Sequence, residues 1–183
     1  SVDTYKAQVM QAVLDAGADI INDVWALRQP GAQSVVASHP QCGVVLMHMH
    51  KTPQDMQQTP MQGDAVAQVQ NFLAQQTQAL LALPVERQRI VWDYGIGFGK
   101  TVAQNFALLA QQAALTRQGF ALLAGWSRKS SLGQVTNRPV EERMVPSVAA
   151  AVLAVERGAR IVRVHDVAET VSALAVWQAM HDN

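Results

Sequence analysis

Apolar residues along this chain recur with two alternating periods, one helical and one strand-like. Tyr5, Val9, Val13 and Ala16 repeat at helical spacing, and Gly17 follows as a C-terminal stop. Residues 18–24, Ala-Asp-Ile-Ile-Asn-Asp-Val, form a short apolar run that turns polar at Asn22 and Asp23, the pattern of a buried strand. A loop through Pro30 and Gly31 leads to a short helix over 32–38. Residues 43–49, Gly-Val-Val-Leu-Met-His-Met, predict the next strand. A polar loop with Pro53 and Pro60 then precedes a long helix carrying Val66, Val69, Leu73 and Leu80. A strand ends at Asp93, and a helix with Val102, Phe106, Leu109 and Ala113 follows it. The next strand, 120–124, runs into Gly125-Trp126-Ser127-Arg128-Lys129-Ser130. A helix with Met144, Val148, Ala151, Val152 and Val155, a strand over 160–164 ending at His165, and a helix with Val167, Val171, Leu174 and Trp177 complete the chain.

Regular alternation of strand and helix implies parallel strands joined by helical crossovers. One internal echo supports a repeated unit: Asp15-Ala-Gly-Ala-Asp-Ile-Ile-Asn-Asp-Val resembles Arg157-Gly-Ala-Arg-Ile-Val-Arg-Val-His-Asp-Val. The candidate architectures are an open doubly wound sheet and a TIM (β/α)8 barrel. Nearly every strand ends in reactive side chains, namely Asp3, Asn22, His48, Asp93, Ser127 with Lys129, and Arg163 with His165. A barrel gathers all its C-terminal strand ends at one mouth, whereas an open sheet concentrates ligands at a switch point, so the barrel is the expectation. Five complete strands plus a stub ending at Asp3 fall short of eight strands and about 250 residues. The expected coverage is one domain, residues 1–183, running roughly from strand 3 to helix 8, with about two βα units lying before it.

Composition narrows the picture further. The 183 residues are 49% hydrophobic and 15% charged, which suits strands buried on both faces. Fourteen basic residues balance fourteen acidic ones, so no field favours nucleic acid or an anionic membrane. Cys42 is the sole cysteine and cannot form an internal disulfide, which fits a reducing compartment. No apolar run approaches the roughly 18 residues of a membrane span, and the opening Ser-Val-Asp-Thr has no basic start. The expectation is a soluble protein of cytoplasmic type.

Chemistry concentrates in residues 90–100, Ile-Val-Trp-Asp-Tyr-Gly-Ile-Gly-Phe-Gly-Lys. An apolar run delivers the carboxylate of Asp93 to a loop holding Gly95, Gly97 and Gly99, where the backbone can approach a ligand closely. A P-loop would need glycine where Tyr94 stands, and a dinucleotide fingerprint would need glycine at Lys100. Neither motif is present.

Asp-x-Gly-Ile-Gly-Phe-Gly-Lys resembles the central motif of the dihydropteroate synthase family. Ser1-Val-Asp-Thr, Ile20-Ile-Asn-Asp, Leu46-Met-His-Met, Ser127-Arg-Lys-Ser and Arg163-Val-His-Asp occur in that family's order and near its spacing. The resemblance implies condensation of a dihydropterin methyl diphosphate with 4-aminobenzoate, giving dihydropteroate and diphosphate in folate biosynthesis. It also implies magnesium dependence, a homodimer and sensitivity to sulfonamides. On the same basis Asp3, Asn22, Met47, Asp93 and Lys129 bind the pterin, and Phe98, Ser127 and Lys129 bind the aminobenzoate. Arg163 and His165 bind the diphosphate; Asp3, Lys129, Arg163 and His165 are the catalytic candidates. No metal ligand is expected in this chain, because the family's magnesium asparagine lies on the first strand.

Residue chemistry fits those roles. A carboxylate at Asp93 suits two N–H groups of a pterin's guanidine-like edge, and Asn22 can both donate and accept beside it. Arg163 suits bidentate phosphate contact, and alternation with Val164 puts His165 on the same side of the strand. Taken alone, Asp3 is an N-cap for the helix after Tyr5, and Met47 is equally a core residue. Tyr94 stands where the family usually has proline and Trp126 where it has smaller or thioether side chains; both are expected beside the pocket. The rival enzyme class is a metal-dependent hydrolase built on His48, His50, His165 and Asp93. An inward-facing Met47 would, however, send both His48 and His50 outward. A third alternative is a pterin-binding remnant without activity.

Overall fold

Among the described residues, six parallel strands follow one another in chain order across a single sheet. They are β1 (Val2–Asp3), β2 (Ile20–Asp23), β3 (Gly43–Met47), β4 (Ile90–Asp93), β5 (Ala121–Ala124) and β6 (Ile161–Val162). Helices α1 (Ala7–Asp15), α2 (Ala32–Ser38), α3 (Ala65–Leu81), α4 (Val102–Ala110), α5 (Gln112–Thr116), α6 (Ser130–Thr136), α7 (Met144–Glu156) and α8 (Val167–His181) fill the connections. This computed structural model describes residues 1–51, 56 and 60–182, so the expected loop position Pro53 lies outside the described residues. Among them, no helix is long and apolar enough to cross a membrane.

The sheet is curled. Laid flat, five inter-strand gaps of about 4.8 Å would hold β1 and β6 about 24 Å apart. Instead, Arg163 just after β6 brings Nη1 to 4.0 Å from Oδ2 of Asp3 at the end of β1. Strands that curve back until first and last meet at their tips form the wall of a partial (β/α) barrel.

Alternation along the strands sorts the side chains. Ile21, Val44, Leu46, Ile90, Trp92, Leu122 and Ala124 join one apolar core with the helices outside the sheet. Register places the complementary set on the other face: Asp3 opposite Asn22, Asn22 opposite Val45, Met47 opposite Asp93, and Asp93 opposite Leu123. Trp92 ties β4 to α3 by donating from Nε1 to Thr77 Oγ1 at 2.7 Å, and its ring stacks on Phe120 with centroids 4.9 Å apart. Helix starts are locally encoded: Asp64 accepts from the amides of Val66 and Ala67 at α3, and Thr101 with Gln104 makes a capping box at α4.

Several expectations are corrected. The strands are shorter than the apolar runs, and β6 stops at Val162, so Arg163 and His165 sit on the loop beyond it. Helical spacing over 102–113 is interrupted at Gln111 into α4 and α5. The buried face of α1 is Met10 and Leu14, while Val9 is exposed. In α7 the buried positions are Ser147, Ala150, Ala151 and Ala154, small residues that allow close approach; of the expected positions Ala151 is buried, while Met144, Val148, Val152 and Val155 are only half-buried. Val167 and Val171 of α8 are exposed, with Thr170 buried. Helix α6 was not expected at all, because its seven residues hold too few apolar positions to show a period.

At the opposite end of the strands from the tips, Arg89 is buried and serves three carbonyls. Its Nε donates to Cys42 at 2.6 Å, and its Nη2 to Val36 at 2.9 Å and His39 at 2.8 Å. Arg89→Met would keep the stem and strand those acceptors, lowering stability by about 2–4 kcal/mol. Urea unfolding checks this; an unchanged midpoint would mean that water replaces the guanidinium.

Candidate active site

Asp93 is the last residue of β4 and is 3% exposed. Its Oδ1 accepts the amide of Gly95 at 2.7 Å, which bends the chain directly into the glycine loop. Burial raises its pKa, opposed by that amide and by the charges of Lys129, Arg163 and Lys100. The loop can close only over glycine at two points. A Cβ on Gly95 would fall 2.0 Å from the His48 carbonyl oxygen, and one on Gly99 would fall 2.7 Å from His50 Cβ. Both glycines also have positive φ.

Two residues without an expected role hold this loop in place. Lys100 Nζ donates to Gly95 O at 2.8 Å and to His48 O and Phe98 O at 3.3 Å, closing the loop on itself and on β3. Burial lowers its ammonium to about 7, while the Asp93 carboxylate pulls it the other way. Asn105 of α4 is buried; its Oδ1 accepts from Gly97 N at 3.0 Å and its Nδ2 donates to Ser131 Oγ at 2.8 Å. Lys100 was visible in sequence as the end of the motif. Asn105 carried no signal beyond being a polar residue inside an apolar helical pattern.

The expected site residues converge at the strand tips. Lys129, immediately before α6, places Nζ 4.4 Å from the centroid of the Phe98 ring and lies against Gly97. Burial lowers its pKa, and Asp93 opposes the shift. Ser127 Oγ accepts the amide of His165 at 3.1 Å and is hydrogen-bonded to His165 Nδ1 at 2.8 Å. The β5 tip and the loop after β6 are thereby joined. Arg163 and Asp3 are half exposed and face each other across the curl. Asn22 donates from Nδ2 to Asp3 Oδ1, but its own Oδ1 is buried with no hydrogen-bond partner. Met47 is buried, with Cγ close to Gly95 and outside the main core.

Three expectations change here. Asp3 caps no helix: α1 begins after Lys6, whose amide donates to Thr4 Oγ1, and Asp3 instead holds Asn22. Tyr94 and Trp126 do not line the mouth. Both belong to the outer apolar core, where Trp126 Nε1 donates to Tyr94 Oη at 3.0 Å, because alternation turns Tyr94 away from Asp93. His48 packs edge-on against Phe72 of α3, 5.0 Å between centroids, on the outer side of the sheet. Burial and the nearby Lys100 charge hold its imidazole far below the usual range. Among the described residues no three His, Cys, Asp or Glu side chains converge as metal ligands, so the His48–His50 hydrolase site does not form.

Two buried acceptors, Asp93 and Asn22 Oδ1, thus share one face with the cations Lys129 and Arg163. That arrangement suits a flat ligand with a donor edge at one end and an anion at the other.

Comparison with known proteins agrees with the motifs. The family model described as pterin binding enzyme matches residues 1–165. Dihydropteroate synthase of Haemophilus influenzae is 42% identical over 181 residues, covering 98% of this chain and 65% of that relative. The chain therefore spans just under two thirds of that relative's length. The crystal structure of dihydropteroate synthase from Stenotrophomonas maltophilia, with imidazole bound in its active site, superposes with a TM-score of 0.95 at 48% identity, covering 98% of this chain and 68% of that one. The Xanthomonas albilineans enzyme in complex with 7,8-dihydropteroate gives 0.92 at 48% identity, covering 98% and 66%. On motif order, fold and these matches together, the chain belongs to the pterin-binding enzyme family, among the dihydropteroate synthases.

Proposed function

We propose that this chain supplies the pterin-binding side of a dihydropteroate synthase, a transferase of folate biosynthesis. The whole protein would join (7,8-dihydropterin-6-yl)methyl diphosphate to 4-aminobenzoate. The amine nitrogen attacks the methylene carbon as its C–O bond to diphosphate breaks, and the nitrogen sheds a proton. The observation that carries this proposal is the unpartnered buried Oδ1 of Asn22 on the same face as the buried Asp93 carboxylate. A buried acceptor without a partner costs stability unless a ligand supplies the donor, and a pterin's amine and ring N–H edge supplies several. The product bound by the Xanthomonas albilineans relative contains that edge.

In this proposal Asp93 and Asn22 hold the pterin edge, Met47 packs against the ring, and Lys129 contacts the ring from the loop side. Phe98 and Ser127 flank the aminobenzoate, with Lys129 between the two ligands. Arg163 and His165 take the diphosphate, Arg163 neutralising charge as it gathers on the leaving group. Asp3 stands beside the reacting methylene and keeps Asn22 oriented through their hydrogen bond. Magnesium, implied by the resemblance, finds no converging carboxylate or imidazole set among the described residues, and no step here is routed through it. A homodimer is supported by the exposed apolar residues Val145 of α7 and Val176 and Met180 of α8. The lone, buried Cys42 supports a cytoplasmic setting.

Asp93→Asn would present a donor to the pterin's donor edge and should weaken pterin binding by about 2–4 kcal/mol. Calorimetry on the whole protein tests it, and an unchanged affinity would remove Asp93 from that role. Arg163→Ala is expected to weaken the diphosphate substrate far more than a pterin without phosphates; equal losses would place Arg163 elsewhere. Residues 1–183 alone should bind pterin without turning substrate over, since β1 and β6 each have an unpaired edge in the six-stranded sheet. Synthase activity with magnesium, measured on this segment beside the whole protein, decides that point; equal rates would count against it.

A further inference from the structure

We propose that Tyr94 and Trp126 are a positioning pair for this site: their hydrogen bond, made on the outer face of the sheet, sets how the tips of β4 and β5 sit against each other on the inner face. The proposal rests on the pterin-site assignment above.

Backbone register between β4 and β5 runs from Val91–Ala121 through Trp92–Leu122 to Asp93–Leu123. The functional residues lie at or past the end of that register, Asp93 on one tip and Ser127 and Lys129 on the other. Tyr94 directly follows Asp93, and Trp126 directly precedes Ser127. The bond from Trp126 Nε1 to Tyr94 Oη at 3.0 Å therefore continues the junction just where the backbone pairing gives out.

The bond is embedded in a chain of satisfied groups. Tyr94 Oη donates to Gln112 Oε1 at 2.9 Å, and Gln112 Nε2 donates to Ala154 O at 2.7 Å and Arg157 O at 3.1 Å. Tyr94 and Gln112 are fully enclosed and Trp126 is 1% exposed. Phe106 lies against the Trp126 ring, with centroids 5.2 Å apart. Each hydrogen in this relay has one acceptor, so the phenol has a single arrangement that serves both neighbours. Loss of the hydroxyl would strand the indole N–H and the glutamine carbonyl, and a buried pair of that kind is relieved by moving. Trp126 sits two residues past the end of β5, in the connection to α6, and is freer to move than Gln112, which is fixed by two backbone carbonyls. Its movement carries Ser127 and Lys129 away from Asp93.

The test uses Tyr94→Phe, Trp126→Phe and the double variant in the whole protein. Pterin affinity is measured by calorimetry well below the unfolding midpoints, with the midpoints recorded separately. Each single variant should weaken pterin binding roughly five- to tenfold, and the double variant should match a single one instead of compounding them. A purely structural role would lower the midpoints and leave affinity intact. Singles within twofold of the parent, or losses that multiply in the double variant, overturn the proposal. A parent protein that binds no pterin overturns the site assignment and this inference with it. Should Tyr94→Phe not fold, Trp126→Phe, which keeps the phenol–glutamine bond, gives the affinity result alone.

Discussion

A parallel strand can send only every second side chain toward the barrel mouth, and the site residues carried on β1 to β4 obey that limit. At the end of β4 and just past it, the sequence Trp92-Asp93-Tyr94 gives two large aromatics to the outer core and one carboxylate to the inside. Ile21-Asn22 on β2 and Leu46-Met47 on β3 divide in the same way. The apolar residues fasten the strand to its helices while the polar residue between them is held without freedom to turn. Core packing thus sets which face each strand residue takes, and hydrogen bonds such as Asn22 to Asp3 and the Gly95 amide to Asp93 add to the orientation of the polar groups.

The second constraint is that a buried carboxylate must be matched by nearby charge or donors. Asp93 has one amide from its own loop and three cations within electrostatic range, none of which saturates it. Lys100 spends its hydrogen bonds on loop carbonyls, Lys129 lies over Phe98, and Arg163 faces Asp3. The carboxylate is thus stabilised at a distance yet keeps acceptor capacity for a ligand. Asn22 adds a second acceptor in the same condition.

Much of this was legible in the chain itself, for a physical reason. Strand tips are signalled locally, by an apolar run that ends in a reactive residue, so Asn22, Asp93, Ser127, Lys129, Arg163 and His165 could be placed at or just past strand ends, whereas Met47 entered only through the family resemblance and His48, read the same way, lies on the outer side of the sheet. Long-range pairing is not signalled locally. Nothing beside Asp3 announces that it will hold Asn22, since their proximity depends on strand register 19 residues away. The same holds for Tyr94 and Trp126: their neighbours in sequence are site residues, but the pleat turns both aromatics to the opposite face. Helices α7 and α8 misled for another reason, because their valines are apolar without being buried, and Ser147 and Thr170 take the interior positions.

The glycine loop also bears on how freely this sequence can drift. At Gly95 and Gly99 the obstacles to a methyl group are the His48 carbonyl and the Cβ and carbonyl oxygen of His50, atoms tied to the backbone of the segment following β3. A substitution at either glycine would need a compensating shift in that neighbouring segment, which single-step change does not provide. At Gly97 a Cβ would only touch Lys129, 3.5 Å away, and the constraint is instead the positive φ of 83°. Over evolutionary time, then, two of the three glycines are locked both by their positive φ and by the backbone of the segment after β3, while the third is locked by its positive φ alone.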